Sequence, residues 1–117
     1  MYVYIIECED GSYYTGMASN IVVRLRQHYF QKPQCAKYTK SHKMVTLKGL
    51  WVAQERQDAC KLEYRIKQLT RTEKQRLISR PTLLAYYFHS LDHELYKYIE
   101  PSEQQIIMNK VRSDRKE

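Results

Sequence analysis

Cysteine is scarce in this chain, three among 117 residues, and the count is odd. Cys8, Cys35 and Cys60 lack Cys-x-x-Cys spacing and stand in apolar or mixed surroundings. That excludes a disulfide framework and a cysteine zinc site, and leaves three reduced thiols. Long apolar runs are missing as well. No stretch approaches the roughly 20 residues of a membrane-spanning helix, and the N-terminus enters a strand pattern at once, without a basic leader and apolar signal core. A cytoplasmic protein with no membrane partner is the expectation. There is also no internal repeat, no low-complexity tract and no linker long enough to argue for a second domain. With 43% hydrophobic residues, the length suits one compact body with room for one site.

What is present in excess is positive charge: 20 Lys and Arg against 13 Asp and Glu, a net of +7. It is concentrated in the middle. Residues 31–80 hold 13 basic and 4 acidic side chains, a net of +9, while residues 1–30 and 81–117 are each at −1. A basic middle between near-neutral ends fits a one-sided footprint for a polyanion better than it fits general solubilisation. On charge alone, a solvated basic surface with no specific ligand competes with that reading.

Tyrosine is also plentiful, eleven in all, and several cluster in "YVYIIECEDGSYYTG" at 2–16. Two β-branched and aromatic runs around Glu-Asp-Gly have the composition of a β-hairpin. The register decides which face the phenols take, because side chains alternate with period two. A two-residue Asp10-Gly11 turn would send Tyr4 and Tyr14 to opposite faces. A type I turn at Glu9-Asp10 with Gly11 as a left-handed bulge residue sets Cys8 against Ser12, Ile6 against Tyr14 and Tyr4 against Gly16. Turn chemistry favours the second arrangement, in which Tyr4 and Tyr14 are diagonal neighbours on one face.

Beyond the hairpin, Asn20 suits an N-cap, and Ile21, Leu25 and Tyr29 recur at helical spacing until Pro33. Arg24 and His28, four apart, share a face beside that stripe. Residues 32–44 show no period and read as a loop carrying Lys32, Lys37, Lys40 and Lys43. "VTLKGLWVAQE" reads as a strand interrupted or bulged at Gly49. Asp58 is expected to cap a second helix with Ala59, Leu62, Ile66 and Leu69 inward, Glu63 at the border, and Lys61, Arg65 and Lys67 outward. Thr70 or Thr72 caps a short third helix that ends before Pro81, and residues 82–99 and 102–113 read as two further helical segments. The class is α+β, a small antiparallel sheet covered by helices.

Each polar feature has a plain structural reading. Tyrosines in a small sheet are commonly packing residues, Arg24 can lay its stem over apolar surface, His28 can complement a helix C-terminus, and Glu63 can pair with Lys67. Order and spacing argue otherwise. Tyr-Val-Tyr at 2–4, Tyr-Thr-Gly at 14–16, "NIVVRLRQH" at 20–28 and "LEYRIKQL" at 62–69 together resemble the GIY-YIG nuclease superfamily over roughly residues 1–80. The small stand-alone bacterial branch is the most similar.

By position the resemblance makes Tyr4, Tyr14, Arg24, His28 and Glu63 the candidate catalytic residues, with Gly16 closing the second tripeptide and Glu63 the metal ligand. It implies a three-stranded antiparallel sheet flanked by helices for residues 1–80, and it leaves 81–117 as a helical extension, packed on the body or used for a homodimer. It further implies phosphodiester hydrolysis with one Mg²⁺ or Mn²⁺ ion, in DNA repair or processing, by a DNA endonuclease or nickase. RNA as substrate and an activating protein partner stay open. Tyr4 is the first candidate for the base, as a phenolate favoured by nearby positive charge, with His28 as alternative or relay. Lys37, Lys40, Lys43, Arg65, Lys67 and Arg71 would hold the strand by its phosphates. The tripeptides depart from the family pattern at Tyr2, Val3 and Thr15 but keep the tyrosines. Neither Asn20 nor Asn109 is placed to serve as the late asparagine of some branches. The competing readings are a non-cleaving nucleic-acid-binding module of the same fold and a partner-binding protein that uses its basic face.

Overall fold

Gly11 turns the first hairpin: its φ is 82°, in the left-handed region, and its N–H donates to the carbonyl of Cys8 at 2.9 Å. The Cys8 N–H then bonds the carbonyl of Ser12 at 2.9 Å, so the turn is the three-residue form with Gly11 as the bulge residue. Strands β1 (Tyr2–Cys8) and β2 (Tyr13–Ala18) follow in the register that this turn imposes, with Tyr4 opposite Gly16 and Ile6 opposite Tyr14. The computed structural model describes residues 1–113.

Helix α1 (Ile21–Tyr29) starts where Asn20 accepts from the Val23 N–H, and a five-residue helix α2 (Lys37–Ser41) interrupts the expected loop. Strand β3 (Met44–Ala53) pairs antiparallel with β1 and carries two extra residues: Lys48, because Gly49 faces Ile5 while Leu47 faces Ile6, and Val45, because Thr46 faces Glu7 while Met44 faces Cys8. Helix α3 (Arg56–Lys67) begins a turn earlier than Asp58 suggested; Glu55 is the cap position, and Asp58 lies in the first turn, where its charge complements the helix dipole. Thr70 and Glu73 form a reciprocal capping box at the head of α4 (Arg71–Ser79).

Two further expectations need correction. The sheet has four antiparallel strands in the order β2-β1-β3-β4, not three, because β4 (Tyr96–Tyr98) pairs with the end of β3. Residues 82–99 are therefore not one helix. A 3₁₀ turn at Pro81–Leu83 leads into the single-turn α5 (Leu84–Tyr87), and a second 3₁₀ turn at His93–Leu95, capped by Asp92, delivers the chain to β4. The strand is fixed by tertiary contact: Tyr98 meets the Trp51 ring edge-on at 5.1 Å, and the Tyr96 hydroxyl donates to the carbonyl of Asp58 at 2.8 Å. Helix α6 (Pro101–Arg112) then lies on α1 and β3. The extension is thus part strand, part helix and part turn, and its residues 114–117 lie outside the described residues.

Both faces of the sheet are covered, which is why β1 is buried nearly end to end. One face packs Val3, Ile5 and Trp51 against Leu62, Ile66, Leu77 and Phe88. The other packs Tyr4, Ile6 and Leu50 against Ile21, Leu25, Met108 and Val111. The edge strand β2 lies against α3, while α1 covers the opposite face of the hairpin.

Candidate active site

Tyr4 rises from the centre of β1 over Gly16, and no side chain larger than hydrogen fits there. A Cβ at Gly16 would run into the Tyr4 hydroxyl, with Cζ at 2.6 Å and the Tyr14 ring at 3.2 Å. The Tyr4 and Tyr14 rings are 6.5 Å apart, and His28 stands 5.7 Å from each. The Asn20 cap sets the phase of α1 that turns His28 inward, where it is fully buried. The Tyr4 hydroxyl lies 2.6 Å from His28 Nε2, and His28 Nδ1 lies 2.8 Å from the Thr39 hydroxyl.

Burial dominates the electrostatics of this trio. It pushes the Tyr4 phenol well above its ordinary range, with the Tyr14 ring adding to the effect, while the Arg24 charge pulls it down and Glu63 pushes it up. The expected phenolate is therefore not the resting form. Burial, then the charge of Arg24, lowers His28 to about 4, so its imidazole is neutral at pH 7. A neutral phenol and a neutral imidazole share one short hydrogen bond.

Arg24 is held by its Nη1, which donates to Gln27 Oε1 and to the carbonyl of Gln34, each at 2.7 Å. Glu63 is half-buried, and its carboxylate pairs with Lys67 one turn on at 3.3 Å. Among the described residues no three His, Cys, Asp or Glu cluster into a ligand cage. A lone, partly shielded carboxylate does fit a hard divalent ion that keeps waters and takes phosphate oxygens as its other ligands.

The six basic residues expected to hold the strand divide. Lys37, Lys40 and Lys43 are exposed on and after α2, around the tyrosine pair, and Lys43 also lies 6.0 Å from the Tyr29 ring centre. Lys67 is occupied by Glu63. Arg65 lies about 200° round α3 from Glu63, beside Ser90 and Leu91. Arg71 holds the hairpin: its Nε donates to the carbonyl of Gly11 at 2.7 Å, and its guanidinium covers the Tyr13 ring at 4.9 Å. Arg65 thus points away from Glu63, and Arg71 is anchored at the hairpin turn, whose Asp10 and Ser12 also meet His42 and Tyr38.

Four residues that the sequence did not mark as site residues complete the site. Tyr38 stacks on Tyr14 at 5.6 Å and on His42 at 3.9 Å, and its hydroxyl donates to Ser12 Oγ at 2.5 Å. Thr39 takes the second nitrogen of His28. The signal available was the i, i+4 spacing of Tyr38 and His42 within "KYTKSHK", which places both rings on one side of a single helical turn.

Two phenols on adjacent antiparallel strands, with an arginine helix over one face of the sheet and a glutamate helix over the other, have the make-up of a nuclease-type domain. The model of the GIY-YIG catalytic domain matches residues 1–76, and the chain belongs to the GIY-YIG family. Its curated relatives carry UPF0213 names. A UPF0213 protein of Fusobacterium nucleatum is 42% identical over 80 residues, covering 68% of this chain and 78% of that one. Another, from Halobacterium salinarum, is 41% identical over 76 residues, covering 65% of this chain and 96% of that one. The solution structure of a UPF0213 protein from Bacillus halodurans is similar at 37% identity and a TM-score of 0.42, over 67% of this chain and 81% of that one. Among the described residues no helix is long and apolar enough to cross a membrane.

Proposed function

We propose that this chain is a divalent-metal-dependent DNA endonuclease of the cytoplasm, acting in DNA repair or processing. In this reading residues 1–80 are the nuclease domain, and the extension from 81 covers it. The observation that carries the proposal is the buried 2.6 Å contact between the Tyr4 hydroxyl and His28 Nε2, with the charges of Arg24 and Glu63 both felt at the phenol. A structural tyrosine needs only a hydrogen-bond acceptor, whereas a tyrosine that must take a proton from water also needs a group able to receive its own, and a neutral imidazole can serve as both.

Tyr4 hands its hydroxyl proton to His28 Nε2 as its oxygen takes one from the attacking water, so a raised phenol pKa is no obstacle: no free phenolate has to form. An incoming phosphate favours the imidazolium that results, by opposite charge. Arg24, aimed by Gln27 and the Gln34 carbonyl, presents a permanent charge to the same phosphate. Tyr14, stacked on a Tyr38 that Ser12 holds, orients water or phosphate. Bound at Glu63, a Mg²⁺ or Mn²⁺ ion would offset charge on the phosphate and the leaving oxygen. Lys37, Lys40 and Lys43 attract the backbone without reading its sequence.

Cleavage of supercoiled plasmid and of labelled single-stranded, duplex and branched DNA, with Mg²⁺, Mn²⁺ or EDTA, tests this. Native protein is expected to cut only with metal, and Glu63→Ala to lose cutting while still binding DNA. A native protein that binds DNA and never cuts it would replace the nuclease with a binding module.

A further inference from the structure

The proton relay described above works in one direction only if His28 carries its single hydrogen on the correct nitrogen. A neutral imidazole has one N–H and one bare nitrogen, and the two choices have opposite consequences. With the hydrogen on Nδ1, Nε2 accepts from Tyr4. With the hydrogen on Nε2, the ring donates to Tyr4 and can take no proton from it.

We infer that Thr39 is the positioning residue that selects the Nδ1–H tautomer of His28 and so sets the direction of proton transfer from Tyr4. Thr39 Oγ1 lies 3.0 Å from the carbonyl oxygen of Ala36 and 2.8 Å from His28 Nδ1. A hydroxyl has one hydrogen and a carbonyl can only accept, so that hydrogen points to Ala36 and Oγ1 accepts at Nδ1. Nδ1 therefore donates, and Nε2 is left bare toward Tyr4, 2.6 Å away. The polarity of the whole row, from Tyr4 through His28 and Thr39 to Ala36, is set by one backbone oxygen.

Two further features support the assignment. Tyr4, His28 and Thr39 are at most 1% exposed, so solvent is excluded from supplying the missing partner of either nitrogen. Thr39 itself is held at both ends of its peptide unit: its N–H also bonds the Ala36 carbonyl at 3.0 Å, and its own carbonyl accepts from Gln31 at 3.2 Å. A hydroxyl pinned in this way costs little reorganisation when the proton moves. The β-branched methyl alone would supply the packing; the oxygen is what the tautomer needs.

The tautomeric part of this inference stands on hydrogen-bond geometry, and its catalytic part rests on the nuclease reading, so the test has two arms. Long-range ¹H–¹⁵N NMR of the His28 ring in the native protein at pH 7 is expected to show Nδ1 protonated and Nε2 bare. Thr39→Val, equal in shape, should lose that preference, and Thr39→Ser should keep it. Single-turnover cleavage should fall roughly 10²-fold in Thr39→Val, the low end of what acid–base catalysis contributes, with DNA affinity unchanged, and recover in Thr39→Ser. Native Nε2 found protonated, or a Thr39→Val protein with the native tautomer and native rate, overturns the proposal. If Thr39→Val does not fold, the native and Thr39→Ser spectra still decide it. A native protein that never cuts DNA removes the nuclease reading while the NMR arm still reports the tautomer.

Discussion

The two faces of β1 are equally buried and chemically unlike. Val3 and Ile5 look toward α3, α4 and α5, Tyr4 and Ile6 toward α1 and α6, and all four are at most 1% exposed. The α3 side stays dry by being apolar. The α1 side hides a phenol, an imidazole and a hydroxyl, and can do so because each has a partner at hydrogen-bonding distance. The contrast shows what hiding polar groups demands: a polar row in the interior costs stability unless every member is bonded. Thr15 makes the converse point. It is buried on the α3 side, opposite Ile5, and its hydroxyl has no partner among the described residues.

That difference can be broken in order of size. The largest effect is expected from acid. His28 is neutral and lowered to about 4 when folded, against roughly 6.5 unfolded, so the unfolded chain binds the extra proton first. Stability from this residue is fully present above about pH 6.5, falls as pH drops toward 4, and is level below that, an overall loss of about 3 kcal/mol. Urea unfolding from pH 7.5 to 4 should show this slope, and His28→Gln should remove it. Next, Gly16→Ala, which drives a methyl into the Tyr4 ring, should cost about 1–3 kcal/mol by overpacking and displace the phenol from His28. Thermal unfolding reads the first effect, and an NMR shift of the His28 ring the second. Smallest, and opposite in sign, Thr15→Val should raise stability by about 1 kcal/mol by removing an unpaired buried hydroxyl. An unchanged midpoint would mean that the hydroxyl is satisfied.

Much of this contrast was legible in the sequence, because local rules wrote it. Gly11 after Glu-Asp fixed the register that sets Tyr4 over Gly16, Asn20 fixed the phase of α1, and Thr70 with Glu73 fixed the start of α4. What escaped is what tertiary contact decides. Three residues, "YKY", are too few to show a period, and pairing with Trp51–Ala53 of β3, a partner remote in the chain, makes them a strand. Thr39 sits on a five-residue helix without a side-chain cap, so nothing local distinguishes it from a loop threonine. The charge of Arg71 is visible in the sequence, whereas its bond to the Gly11 carbonyl, sixty residues away, is not.

The central claim is that the polar row beneath the α1 side moves a proton rather than merely filling space. Single-turnover cleavage by native protein and Tyr4→Phe, each shown folded by urea titration, tests it most directly. Removing one oxygen should slow cleavage by roughly 10²–10⁴ while leaving the DNA dissociation constant and the fold in place. A Tyr4→Phe protein that cuts at the native rate would contradict the account and return Tyr4 to the role of a buried packing residue.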